Sequence, residues 1–129
     1  MVRLDKAYLI KMKEFPPATE MSHLIGDMLM QICLDPYSIQ FRFERNLLVS
    51  EFAVEQTEPD GTAWSYNCIA AEAPASMLHR LVGRTVANVK SRGFRLTLLF
   101  DNGATLHVLA DDGPNEAGHI EGCDKLIVF

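Results

Sequence analysis

The segment "PASMLHRLVGRTVANVKSRGFRLTLLF", Pro74–Phe100, has an ungapped echo earlier in the chain. "PATEMSHLIGDMLMQICLDPYSIQFRF", Pro17–Phe43, aligns with it at an offset of 57. Pro17, Ala18, Leu24, Gly26 and Phe43 are identical to Pro74, Ala75, Leu81, Gly83 and Phe100. Elsewhere apolar faces apolar: Ile25 and Val82, Leu29 and Val86, Ile32 and Val89, Ile39 and Leu96, Phe41 and Leu98. A pattern kept in register over this span reads as duplication of one supersecondary unit, at about 17–55 and 74–110. The alternative is two amphipathic hairpins that converged on one pattern.

Each unit resolves into elements. Pro17 and Pro74 suit the first turn of a short helix, where a missing N–H is not needed. The helices span about Ala18–Leu24 and Ala75–Leu81, and Gly26 and Gly83 end them through positive φ. Strands follow near Asp27–Leu34 and Arg84–Lys90. Their apolar spacing of three (Leu29 to Ile32, Val86 to Val89) implies a β-bulge in each. The next strands alternate cleanly, with Tyr37, Ile39, Phe41 and Phe43, and Phe94, Leu96, Leu98 and Phe100, on one face. Asp101–Gly103, "DNG", is a strong hairpin turn, and Glu44–Asn46, "ERN", is its weaker counterpart. Partner strands are expected at Leu47–Glu55 and Ala104–Ala110. Three more are expected at Ala7–Lys13, Ala63–Ala71 and Lys125–Phe129. About nine strands and two short helices predict a mainly β (α+β) fold. The expectation is a strongly bent antiparallel sheet closing into a barrel or sandwich with internal pseudo-two-fold symmetry. An open α+β sheet is the alternative.

The bulk composition fits one domain, 1–129. The chain has 129 residues, enough for one hydrophobic core and too few for two. With 48% hydrophobic and 22% charged residues it is globular rather than disordered. No apolar run approaches the roughly 18–20 residues that span a bilayer. The charged N-terminus, "MVRLDKAYLIKMKEF", is not a signal peptide, so a cytoplasmic location without membrane attachment is the expectation. Cys33, Cys68 and Cys123 are odd in number and widely spaced, which predicts free thiols.

The charges are segregated. Glu51, Glu55, Glu58, Asp60 and Glu72 fall in a stretch without Lys or Arg, as do Asp101, Asp111, Asp112, Glu116, Glu121 and Asp124. Between them lie Arg80, Arg84, Lys90, Arg92 and Arg95. Two acidic loops, "VEQTEPDG" and "LADDGPNEAGHIEGCD", follow the two hairpins, and the pseudo-symmetry would bring them together as one acidic rim. Such a rim attracts a basic partner. The net charge of −5 disfavours nucleic acid, whose affinity comes largely from phosphate neutralisation.

Signals for chemistry are weak. His107, Asp111, Asp112 and His119 come nearest to a metal cluster, but their spacing matches no metal signature. His23 and His79 sit near helix ends, where an imidazolium would meet the negative end of the dipole. No G-x-S-x-G, P-loop or dinucleotide fingerprint is present. No catalytic residue, cofactor or metal is therefore assigned. Trp64 and Tyr66 alternate with Ser65 and Asn67; such a pair is either core or an interface anchor.

The pattern L-V-G-R-T-V-x-x-V…F-x-L-T-L-x-F-D-N-G-x-x-L-x-V over Leu81–Val108 resembles a motif of small, uncharacterised bacterial β-rich proteins. They are of the toxin-immunity type, tied to contact-dependent or polymorphic toxins. The resemblance covers about a quarter of the chain and brings no catalytic residues with it. It implies a cytosolic immunity protein that covers the active site of a toxin; the acidic charge suits a basic partner, for which a basic nuclease is the expected example. The expected contacts are Glu55, Glu58, Asp60, Trp64, Tyr66, Asp111, Asp112, Glu116 and Glu121. The alternative is a small-ligand β-barrel or enzyme using the barrel interior. Homodimerisation through the C-terminal strand, "DKLIVF", is compatible with either.

Overall fold

The computed structural model describes residues 14–68, 75–111, 113 and 115–129. The strand expected at Ala7–Lys13 lies outside them. The two helices stand where the sequence puts them, Ala18–Leu24 and Ala75–Leu81, but both are 3-10 helices. With three residues per turn, positions three apart share a face. Met21 and Leu24 are buried on the first, Leu78 and Leu81 on the second. Pro17 caps the first helix at φ −54 and ψ 148, one place before the expected first turn. Gly26 and Gly83 follow, both at φ +87.

Among the described residues ten strands form two five-stranded antiparallel sheets, and these do not close into a barrel. The first sheet has the order β1 (Leu29–Leu34), β2 (Ile39–Phe43), β3 (Leu47–Ser50), β9 (Gly118–Gly122), β10 (Lys125–Val128). The second has the order β5 (Ala63–Asn67), β4 (Ala53–Thr57), β8 (Thr105–Leu109), β7 (Arg95–Phe100), β6 (Val86–Arg92). The expected bulges are present: register shifts between Leu29 and Gln31 against β2, and between Val86 and Asn88 against β7.

Two expectations are corrected. The single strand expected over Leu47–Glu55 is two strands in different sheets. It bends at Glu51–Phe52, so that β3 pairs with β2 and β9 while β4 pairs with β5 and β8. The second acidic loop is not irregular throughout. It contains β9, whose two glycines and His119 and Glu121 hide the buried Ile120 from a propensity reading.

The two units meet through reciprocal backbone hydrogen bonds. Gly26 N–H donates to Val86 O (2.8 Å) and Gly83 N–H to Leu29 O (2.7 Å). Leu29 N–H donates to Arg84 O and Val86 N–H to Asp27 O, both at 2.9 Å. Met28 and Thr85 form an antiparallel bridge between them. The hairpin that follows each unit crosses over: β4–β5 joins β8, and β9–β10 joins β3.

Alternation fills the inside. Ile39, Phe41 and Phe43 are buried on β2, and Leu96, Leu98 and Phe100 on β7. With Leu48, Leu106, Val108, Ile120 and Phe129 they belong to one contiguous core drawn from both sheets. A fully buried Leu or Phe contributes about 2 kcal/mol by transfer from water. Tyr37 and Phe94, expected on the same inward rows, instead sit at hairpin tips, 74% and 38% exposed. Among the described residues no helix is long and apolar enough to cross a membrane.

Candidate functional site

The outward face of the second sheet carries an array of polar side chains. Strand registers align them in rows. One row runs Lys90, Thr97, His107, Glu55, Ser65; a second begins Arg92, Arg95. Thr97 Oγ1 and His107 Nδ1 are 2.8 Å apart. Arg95 reaches diagonally across β8 to pair with Glu55, Nη1 to Oε1, at 3.3 Å. Burial, and then Arg95, push the His107 pKa below the ordinary histidine value, against the opposing pull of Glu55. The array lies on an open sheet face. It offers hydrogen bonds and fixed charges to a docked surface rather than enclosing a substrate.

The expected acidic rim divides. The β4–β5 turn carries Asp60, and Pro59 Cβ lies 3.7 Å from where a Cβ on Gly103 would stand, in the β7–β8 turn. The turns that carry the exposed Asp60 and Asp101 are therefore neighbours at one end of the second sheet. Hydrogen bonds from Thr62 hold the Asp60 carboxyl below its usual pKa. Asp111 lies at the other end of that sheet: Thr57 pairs with Thr105 and Ala53 with Leu109, so β8 runs away from the Asp60 turn. Asp111 accepts from Gly113 N–H at 2.9 Å. Glu116 and Glu121 lie beside the first sheet, with His119, Leu126 and Val128, around an open depression of about 380 Å³. His119 Nε2 stands 3.0 Å from Glu121 Oε2. Asp112 lies outside the described residues.

Two of the expected contact residues are buried. Tyr66 is 3% exposed and Glu58 9% exposed. They form a buried network in which Tyr66 Oη donates to Gln56 Oε1 (3.1 Å). Gln56 Nε2 donates to Glu58 Oε2 (3.1 Å) and Met77 O (2.8 Å), and Arg80 closes it on Glu58 at 3.3 Å. This network ties the second helix to β4; its physical role is to satisfy polar groups inside an apolar layer. Trp64 points to the same inner face, half-buried against the core. Glu55 is half-buried and already paired with Arg95.

The histidines fall apart as well. His107 belongs to the second sheet and His119 to the first. Among the described residues no group of three or more His, Cys, Asp or Glu is placed to hold a metal ion. Among the described residues neither buried ring nitrogen of His23 has a hydrogen-bond partner, and burial, then Lys125, lowers its pKa, with Asp27 opposing.

Asp27 is the residue whose role sequence reasoning missed. It is fully buried. Its carboxylate accepts from Arg45 N–H (3.1 and 3.2 Å) and from Asn46 Nδ2 (2.6 Å), bracing the "ERN" turn. The signal was available: a lone acid directly after a helix-ending glycine, in the unit whose turn lacks "DNG". The turn that has it is self-sufficient, with Asn102 Oδ1 accepting from Ala104 N–H at 3.0 Å.

No family model, curated protein or solved structure matches the chain.

Proposed function

We propose that this chain is a protein-binding module of the toxin-immunity kind, a bacterial cytoplasmic protein that neutralises a basic toxin by covering its active site. The observation that carries the reading is the adjacency of the exposed Asp60 and Asp101 turns at one end of the second sheet. Two exposed carboxylates on neighbouring turns make a local negative field that steers a basic surface into place. The resemblance over Leu81–Val108 points the same way. The acidic contact is thereby narrowed from two loops to one sheet end.

The test is co-expression with candidate basic toxin domains, scored as growth, with association rates measured for any toxin that the chain neutralises. The Asp60→Lys, Asp101→Lys double variant changes exposed positions only. Its association rate should fall at least about tenfold, and its salt dependence should weaken. Unchanged association would remove the acidic end from the interface. The small-ligand alternative needs an interior cavity, and the interior positions are occupied by Phe41, Leu98, Leu106 and their neighbours.

We also infer that the two units descend from one duplicated unit, and that their sheets stack as a sandwich around the shared core. The reciprocal bonds of Gly26, Gly83, Leu29 and Val86 support this, as do the two matched bulges. A chain in which the second unit replaces the first should fold in one cooperative transition. A molten or unfolded product would count against common descent.

A further inference from the structure

We propose that the outward face of the β6–β7 hairpin binds single-stranded nucleic acid. Lys90 and Arg92 lie two residues apart on β6, about 7 Å along the strand. Arg92 stands directly opposite Arg95, and Lys90 opposite Thr97. Like charges directly opposite one another destabilise a sheet. Among the described residues, only Arg95 of these three cations has an acidic partner, Glu55. An anion from outside relieves the remaining charge.

Phe94 identifies which anion. It sits at the hairpin tip between the two arginines, 38% exposed. A nucleobase stacks on an aromatic face while its phosphates meet the flanking cations. A carboxylate would answer the arginines and leave the ring unused. Thr97 and His107 continue the face with hydrogen-bonding groups. The fold does not demand this layout. In the first unit the equivalent positions are Cys33, Asp35 and Ser38, where the second has Lys90, Arg92 and Arg95.

The net charge of −5 does not cancel the patch. At physiological salt the screening length is about 8 Å, comparable with the spacing of these cations, so distant carboxylates are damped and the local field stands. The site reads backbone and base plane, so it should be tolerant of sequence. This proposal is independent of the toxin-immunity reading, because its test contains no toxin.

The test is fluorescence anisotropy with labelled oligodeoxythymidylate and oligouridylate of about ten nucleotides, at about 50 mM salt. Saturable binding is expected. With Lys90 and Arg92 at about 0.7 each, log K should fall against log salt with a slope of about −1.4. Lys90→Glu with Arg92→Glu should abolish binding, and Phe94→Ala should weaken it roughly 5-fold to 100-fold. Phe94→Leu keeps the apolar contact without an aromatic face and should weaken it too. All these positions are exposed, and unchanged melting temperatures would establish that each variant is folded. Three results would overturn the proposal: no saturable binding by the parent protein, binding indifferent to both Phe94 variants, or equal competition by an oligoglutamate peptide.

Discussion

Replacing Asp27 by alanine tests how the weaker hairpin turn is held. The Asp27 carboxylate accepts from the Arg45 N–H and from Asn46 Nδ2, and Arg45 Nε stands 3.6 Å away. Hydrogen bonds to a charged group contribute about 1.5–3 kcal/mol each. Two would suggest about 3–6 kcal/mol, but two effects lower that figure. Burying the carboxylate itself costs several kcal/mol, which the alanine avoids. Asn46 Nδ2 also keeps a second acceptor, His23 O at 3.2 Å, and the exposed Arg45 side chain returns to water. The expected loss is about 3 kcal/mol, read as a shift in urea midpoint at unchanged slope. Arg84→Ala, at the equivalent position of the second unit, is the control. Arg84 is exposed and its turn is held by Asn102, so its loss should stay within about 0.5 kcal/mol. A loss below about 1 kcal/mol for Asp27→Ala, or equal losses for the two variants, would refute the bracing role.

Three further outcomes follow from the same geometry. Because His23 has a lowered pKa in the folded state, the unfolded chain binds more protons below the ordinary value of 6.5. Its contribution to stability is therefore full above that value and lost as pH falls through the folded pKa. His23→Phe removes two unpartnered buried nitrogens, and its melting temperature should fall less steeply than the parent's between about pH 8 and pH 5. Parallel profiles would exclude His23 as the source, since His107, shifted the same way, remains in both. Gly122→Ala should lower stability by about 2 kcal/mol or more, because φ is +157 and a Cβ there would collide with the Asn46 side chain. An unchanged melting temperature would contradict that close approach. Thiol labelling should proceed in the order Cys123, Cys33, Cys68. Burial pushes the Cys68 thiol up in pKa, so a fast-reacting Cys68 would overturn its placement.

The helices, the bulges and the inward rows were legible because they depend on local patterns. Gly26 and Gly83, the three-residue apolar spacing and the alternation from Ile39 and Leu96 onward each report a backbone preference within a few residues. What escaped the sequence depends on distant pairing. Leu47–Glu55 is apolar enough to read as one strand, and only its partners, β9 for the first part and β8 for the second, divide it. β9 is short and glycine-flanked, and its Ile120 becomes core only when β3 is beside it. The acidic residues were counted correctly but could not be placed. Their strands carry Asp60 and Asp111 to opposite ends of one sheet, and Glu58 is drawn inward by Gln56 and Arg80.

The crossing of the two hairpins has a consequence for both surfaces. Without β9–β10, β3 would lose the neighbour on one edge, and without β8 the β4–β5 hairpin would have no sheet to join. Neither unit completes a five-stranded sheet from its own residues, so the order of the molecule depends on pairings far apart in sequence, which slow folding. The second sheet inherits its charges from both units: Glu55 comes from the first and Asp60 from the turn that follows it, while Lys90, Arg92, Arg95 and Asp101 come from the second. The Arg95–Glu55 ion pair is itself a contact between units. The basic hairpin tip and the acidic turns stand at opposite ends of β7, with six residues of rigid strand between them. A ligand that touches either end therefore meets a field assembled only when both units have folded, and half a chain would present neither end in its proper setting.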